Sequence, residues 1–172
     1  AEQGKTLTGP ARDAKIKAAG EQYEALCVRA EPQPAHLRLY VDFLLEGQDW
    51  PAADQALKRL ESLAPDSPDS MLRRARWLER QGRTAEIRPL FEAFGQRLET
   101  KFADGEPRAQ ACAALGNLYA FFALDAAAEA WYRKAVALQN EYYAALANSL
   151  VRQGKTAEAA QLCLQEARQA GT

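Results

Sequence analysis

Gly154-Lys155-Thr156 is the first group in this chain whose residue types and spacing suggest chemistry, because such a triplet ends loops that cradle phosphates. It lies in "RQGKTAEAA", residues 152–160. A phosphate loop also needs a glycine five positions earlier, at the end of a strand. Position 149 is Ser. The near-duplicate "RQGRTAEI", at 80–87, has Trp77 at the matching place. Two copies of one phrase, 72 residues apart (154 − 82), point to a repeated element rather than a nucleotide site. A further "GKT" at 4–6 has nothing upstream to test, and the "LTGP" after it reads as part of a flexible tail, 1–11.

Metal and acid–base chemistry find little support. Cys27, Cys112, Cys163 and the single His36 are the residue types of a three-Cys, one-His zinc site. None lie at the short spacing such sites favour, so no metal is expected and the thiols read as small buried side chains. Their odd number argues against a disulfide framework and fits a reducing, cytoplasmic compartment. His36 reads as an exposed residue in a helix's first turn. Asp42, Glu46, Asp69 and Glu79 read as carboxylates on solvated helix faces. There is no nucleophile-elbow motif and no Gly-rich loop after a strand. The expectation is a protein that is not an enzyme and needs no cofactor.

The bulk properties agree. Of 172 residues 48% are hydrophobic and 26% charged, the balance of a folded globular chain. A net charge of −1 gives no electrostatic case for nucleic acid or an anionic membrane surface. No apolar run approaches the roughly 20 residues of a membrane span. Arg outnumbers Lys by 15 to 7 and Ala is abundant, as in GC-rich bacterial coding.

The elements that position these residues are helices throughout. Apolar residues recur every three or four positions, and strand-like alternation is nearly absent. Leu37, Tyr40, Val41, Leu44 and Leu45 make one helical face; Ala53, Ala56, Leu57, Leu60 and Leu63 make the next. "GQDW" at 47–50 ends the first and caps the second. Ser67 is the expected N-cap of a helix opening at Pro68 and carrying Met71, Leu72, Ala75 and Leu78. Gly82 and Gly154 each follow an amphipathic helix where the chain must turn left-handed. Thr84 and Thr156 are then expected to cap the next helix, with Glu86 and Glu158 in its first turn. A long second helix is expected over 84–101, with a kink at Pro89 unless the helix starts there, and a loop over 103–106.

Helix pairs of about 34 residues resemble tetratricopeptide repeats. The likeness covers about 12–170 and is clearest in "AQACAALGNLYAFFALDAAAEAWYRKAVALQN", 109–140. There Leu115, Gly116, Tyr119, Ala128, Tyr132 and Ala135 match the family's L-G-x-x-Y…A-x-x-x-Y-x-x-A spacing. Arg74 and Glu166 depart from it, standing where the family prefers Leu and Ala. The resemblance implies an all-α, right-handed α-solenoid of about four helix-turn-helix pairs preceded by one extra helix. The units are a half-repeat helix at 12–31 and pairs at 34–67, 68–106, 107–139 and 140–172. Ala53, Ala75, Gly116, Ala128, Ala147 and Ala159 are the small residues expected where paired helices cross. Phe91, Phe94, Tyr119, Trp131 and Tyr132 are expected to fill the seams between pairs.

In this family first helices line a concave surface that binds extended peptides or partner helices. Carried over by position, that surface comprises Arg38, Asp42, Arg73, Arg76, Arg80, Asn117, Phe121, Asn148 and Arg152. Arg73, Arg76 and Arg80 fall on one stripe suited to carboxylates or phosphates. Asn117 and Asn148 match a position that holds partner backbone in members clamping a C-terminal carboxylate, but Ala113 and Ala144 stand where that clamp needs Lys. One of Phe121 and Phe122 is expected to face the groove or a seam. The expected role is a protein-binding scaffold, the alternative a spacer packing against neighbouring domains or copies. Both ends lack polar capping helices, which suggests a segment of a longer protein or ends that associate.

Overall fold

The computed structural model describes residues 10–27 and 32–170. Residues 1–9 of the tail expected over 1–11, with its "GKT", and residues 28–31 and 171–172 lie outside the described residues; Pro10 and Ala11 already belong to the first helix. Among the described residues the chain is all α-helix and short 3-10 turns, with no strand. It divides into two compact units, Ala1–Gln81 and Gly82–Thr172.

The first unit holds α1 (Pro10–Cys27), α2 (Pro34–Glu46), α3 (Trp50–Leu63) and α4 (Pro68–Arg80). Pro opens α2 and α4 because the first helical N–H has no acceptor to lose. Asp49 caps α3 by accepting from the Ala52 amide at 3.2 Å, and Ser67 caps α4 by accepting from Ser70 at 3.4 Å. Between α2 and α3 the left-handed residue is Gln48, φ 59°, one past Gly47. Ala53 is fully buried, so α3 approaches α2 closely over Val41, Leu44, Leu45 and Leu57. Tyr23 of α1 packs on Tyr40 and Phe43 of α2, with ring centroids 6.3 and 5.6 Å away.

The second unit opens with a 3-10 turn, Thr84–Glu86, and continues through α5 (Ile87–Lys101), α6 (Glu106–Phe121) and α7 (Asp125–Leu138). A second 3-10 turn, Asn140–Tyr142, leads to α8 (Tyr143–Arg152) and α9 (Thr156–Ala170). The helix expected over 84–101 is therefore divided. Pro89 falls at the third position of α5, where its missing N–H breaks no helical bond. Left-handed residues mark the elbows at Gly82 (φ 73°), Ala123 (φ 55°) and Gly154 (φ 76°). Thr156 is the first residue of α9, so the cap position falls on Lys155 rather than on the threonine; likewise Thr84 opens the 3-10 turn and α5 starts at Ile87.

Glycine serves a different purpose inside these helices. A Cβ on Gly116 would lie 2.6 Å from the Tyr132 ring, and one on Gly95 would lie 2.7 Å from Trp131 Cζ2. Tyr132 thus fills the crossing within its own pair, α6 with α7, not a seam between pairs. Trp131 is only half-buried, lying across Gly95 with Lys134 Nζ 3.9 Å from its ring centroid. Phe91, Phe94 and Tyr119 are buried, and Phe91 meets Tyr119 edge-on with centroids 5.2 Å apart. Cys27 and Cys112 are buried as expected, whereas Cys163 is exposed on α9.

Candidate functional site

In the first unit Arg38, Asp42 and Arg73 come together across α2 and α4. Arg73 Nη2 donates to Asp42 Oδ2 at 2.7 Å, and Nη1 pairs with Asp69 Oδ1 at 2.7 Å. Arg38 Nε lies 2.8 Å from the other Asp69 oxygen. The Arg73 side chain is only 14% exposed. Its burial works against the charge, but hydrogen bonds with Asp42 and Asp69 more than offset that and raise its pKa above the ordinary guanidinium value. Asp42 and Asp69 are therefore not simply solvated carboxylates, as their spacing suggests, but partners of Arg73. Arg76 and Arg80 lie exposed further along α4.

Arg74 answers its departure from the repeat pattern. It forks onto Glu61 at 2.8 and 3.0 Å, reaches Asp54 at 2.6 Å, and lies 5.0 Å over the Trp77 ring. A leucine here would leave both α3 carboxylates without this partner. Asp54 is held below the usual carboxylate range, first by the Lys58 hydrogen bond and then by Arg74.

The "GKT" triplet lies at the α8–α9 elbow, where its lysine meets Glu129 of α7. Lys155 Nζ donates to Glu129 Oε2 at 2.6 Å, so the lysine of "GKT" is held by a carboxylate. Gln153 adds a bond at 2.8 Å and Arg133 Nε one at 2.9 Å; Arg133 also pairs with Glu158. Glu129 on α7 thus meets three side chains, Arg133 of its own helix and Gln153 and Lys155 of the α8–α9 elbow, with its side chain 11% exposed. The Lys155 bond is the main cause of its lowered pKa, against burial, with Arg133 and Gln153 helping. A depressed pKa means stabilisation that is full above the unfolded value of about 4.3 and lost as pH falls through the folded value. Glu129→Gln is accordingly expected to unfold at lower urea than the parent chain at pH 7. That gap should narrow below about pH 4, which urea midpoints measured across the acid range would show; a constant gap would contradict the ionic role.

The remaining predicted residues lie on α6 and α8. Asn117 and Asn148 are exposed, and Tyr132 Oη donates to Asn117 Oδ1 at 2.7 Å. Phe121 is 54% exposed and Val151, one of the residues not anticipated from the pattern, 52%. Phe121 meets Phe122 edge-on at 5.1 Å, and the half-buried Phe122 rests on Phe91 at 5.7 Å. Arg152 pairs with Asp125 at 3.0 Å. These residues offer an aromatic ring on an aromatic base, two amides and a cation already balanced by a carboxylate. Nothing in it forms a nucleophile–base pair, and among the described residues no cluster of His, Cys, Asp and Glu could hold a metal. No helix among them is long and apolar enough to cross a membrane.

No family model and no curated protein sequence matches this chain. Among solved structures it is similar to MamA 41-end from Desulfovibrio magneticus RS-1, with 20% identity over 90% of this chain and 85% of that one, at a TM-score of 0.49. It is also similar to the MamA RS-1 ArsTM double mutant, with 18% identity over 94% and 89% of the two chains, at a TM-score of 0.48.

Proposed function

We propose that this chain is a non-enzymatic protein–protein interaction scaffold that binds a peptide or helix on the outward faces of its first helices. The observation that carries this reading is Phe121: a large apolar ring left 54% exposed, yet set against Phe122, which itself rests on the buried Phe91. Exposed aromatics on a rigid base are the side chains that anchor partners, since they bury much area and lose little freedom. Asn117, one helical turn before it, and Asn148 and Arg152 on α8 would supply polar groups that give direction. In the first unit Arg38, Asp42 and Arg73 would form the fixed floor of the corresponding face, with Arg76 and Arg80 at its exposed end.

Panning a phage-displayed random dodecapeptide library on the full chain tests this. Enriched peptides should lose about tenfold or more in affinity on Phe121→Ala, and less on Arg152→Ala. Peptides indifferent to both substitutions would refute the reading. The alternative, a spacer that packs against neighbouring domains or copies, draws on Leu164, which is 59% exposed on α9. A concentration-dependent mass abolished by Leu164→Ser would favour it.

A further inference from the structure

A groove of about 410 Å³ runs between α5 and α7 over Tyr119 of α6, and it shares no residue with the Phe121 face. On α7 it is lined by Ala126, Ala127, Ala130 and Trp131; the α5 wall includes Glu92 and Glu99. The alanines leave the room, and the carboxylates give it its sign. Arg88 stands on the same wall, paired with Glu92 at 3.0 Å. Its charge does not prevail at the floor. Burial raises the Tyr119 pKa most and the Glu92 charge raises it further, while a bond with Trp131 and, least, the charge of Arg88 oppose them.

The chain itself holds a cation at this groove. Lys134 Nζ lies 3.9 Å from the centroid of the Trp131 ring and 2.6 Å from Glu99 Oε1. One ammonium thus meets an aromatic ring and a carboxylate, both of which attract positive charge. The hold is loose: the Lys134 side chain is 49% exposed, and so solvated a pair contributes little. The next pair of helices provides a contrast. An offset of 31 relates Tyr119 to Leu150, Trp131 to Leu162 and Lys134 to Gln165, so neither the rings nor the cation recur. The carboxylate there, Glu129, is enclosed by Arg133, Gln153 and Lys155 and leaves no place for an incoming cation.

We propose that the α5–α7 groove is an arginine-binding site: the guanidinium of a partner peptide takes the place of Lys134 against Trp131 and Glu99, with its apolar stem over the α7 alanines. A guanidinium suits both contacts better than an ammonium, because it stacks on an aromatic face and forks onto a carboxylate. Replacing one cation by another leaves the charge of the groove unchanged. Lys134 is a resident competitor, over which a partner's lysine gains nothing.

A nuclear magnetic resonance titration of the full chain tests this, reading the Trp131 indole N–H signal, assigned from Trp131→Phe. The probes are three blocked pentapeptides, with arginine, lysine or citrulline between alanines, at constant ionic strength. Citrulline keeps the shape of arginine without its charge. The arginine peptide should move the Trp131 signal saturably, the lysine peptide should bind about threefold more weakly or worse, and the citrulline peptide should leave the signal in place. Lys134→Ala should tighten the arginine peptide about threefold or more by removing the competitor, and Glu99→Gln should weaken it by a similar factor. Neither side chain belongs to the core, so helical circular dichroism should match the parent chain in both variants. Equal shifts from arginine and citrulline would overturn the proposal, as would unchanged or weaker binding to Lys134→Ala. A Trp131 signal that no peptide moves, even in Lys134→Ala, would overturn it too and leave the Phe121 face standing.

Discussion

Phe91→Ala is expected to destabilise the second unit by about 3–5 kcal/mol, the cost of removing a buried aromatic and leaving a cavity. Phe91 is fully buried and has Tyr119 against its edge. Tyr119 is itself buried on α6, and Phe122 packs on both Phe91 and Phe121. Urea denaturation followed by helical circular dichroism would show the loss. The same change should weaken any partner seated on Phe121, since Phe122 would lose its support, although Phe91 lies beneath the surface. A loss below about 1 kcal/mol would mean that the site collapses freely and that the aromatic base is not rigid.

Gly116→Ala should cost about 1–3 kcal/mol through overpacking. The sign is the informative part, because Gly→Ala within an open helix normally gains about 1 kcal/mol. Here the added methyl carbon would stand 2.6 Å from Tyr132 Cδ1 and Cε1 and 3.0 Å from Cγ. The ring must move, and its hydroxyl then leaves Asn117. In a Tyr132→Ala background the same substitution should become neutral or favourable, a coupling that a double-mutant cycle in urea would measure. Additive effects of the two changes would show that the ring and the glycine do not meet.

Periodicity carried most of the fold. The spacing of Leu37, Val41 and Leu44, the Ser67-Pro68 start and the small residues at 53, 75, 116, 128, 147 and 159 all describe local geometry, which sequence expresses directly. What it does not express is which partner a polar side chain selects. Arg73, Arg76 and Arg80 are equivalent by spacing, yet Arg73 meets Asp42, 31 positions away, while Arg80 lies exposed. Glu129 carries no signal in the sequence because a glutamate on a helix is ordinary; only folding brings Lys155, 26 positions on, against it. Gly95 was equally silent, though a glycine between Phe94 and Leu98 in a helical stretch is a sign of close approach. Thr156 misled because a threonine after glycine resembles a cap, and one residue of register decides whether it lies before the helix or within it.

The elbows differ from the crossings in what they forbid. Gly82 and Gly154 meet nothing within 4 Å of an added Cβ, so there is ample room at both. Their constraint is the sign of φ, and Gln48 and Ala123 adopt the same sign while carrying a strain of roughly 1–2 kcal/mol each. Gly95 and Gly116 have space as their whole constraint. Sequence drift at the bends of this chain is thus limited by chirality, and drift where its rods touch is limited by volume.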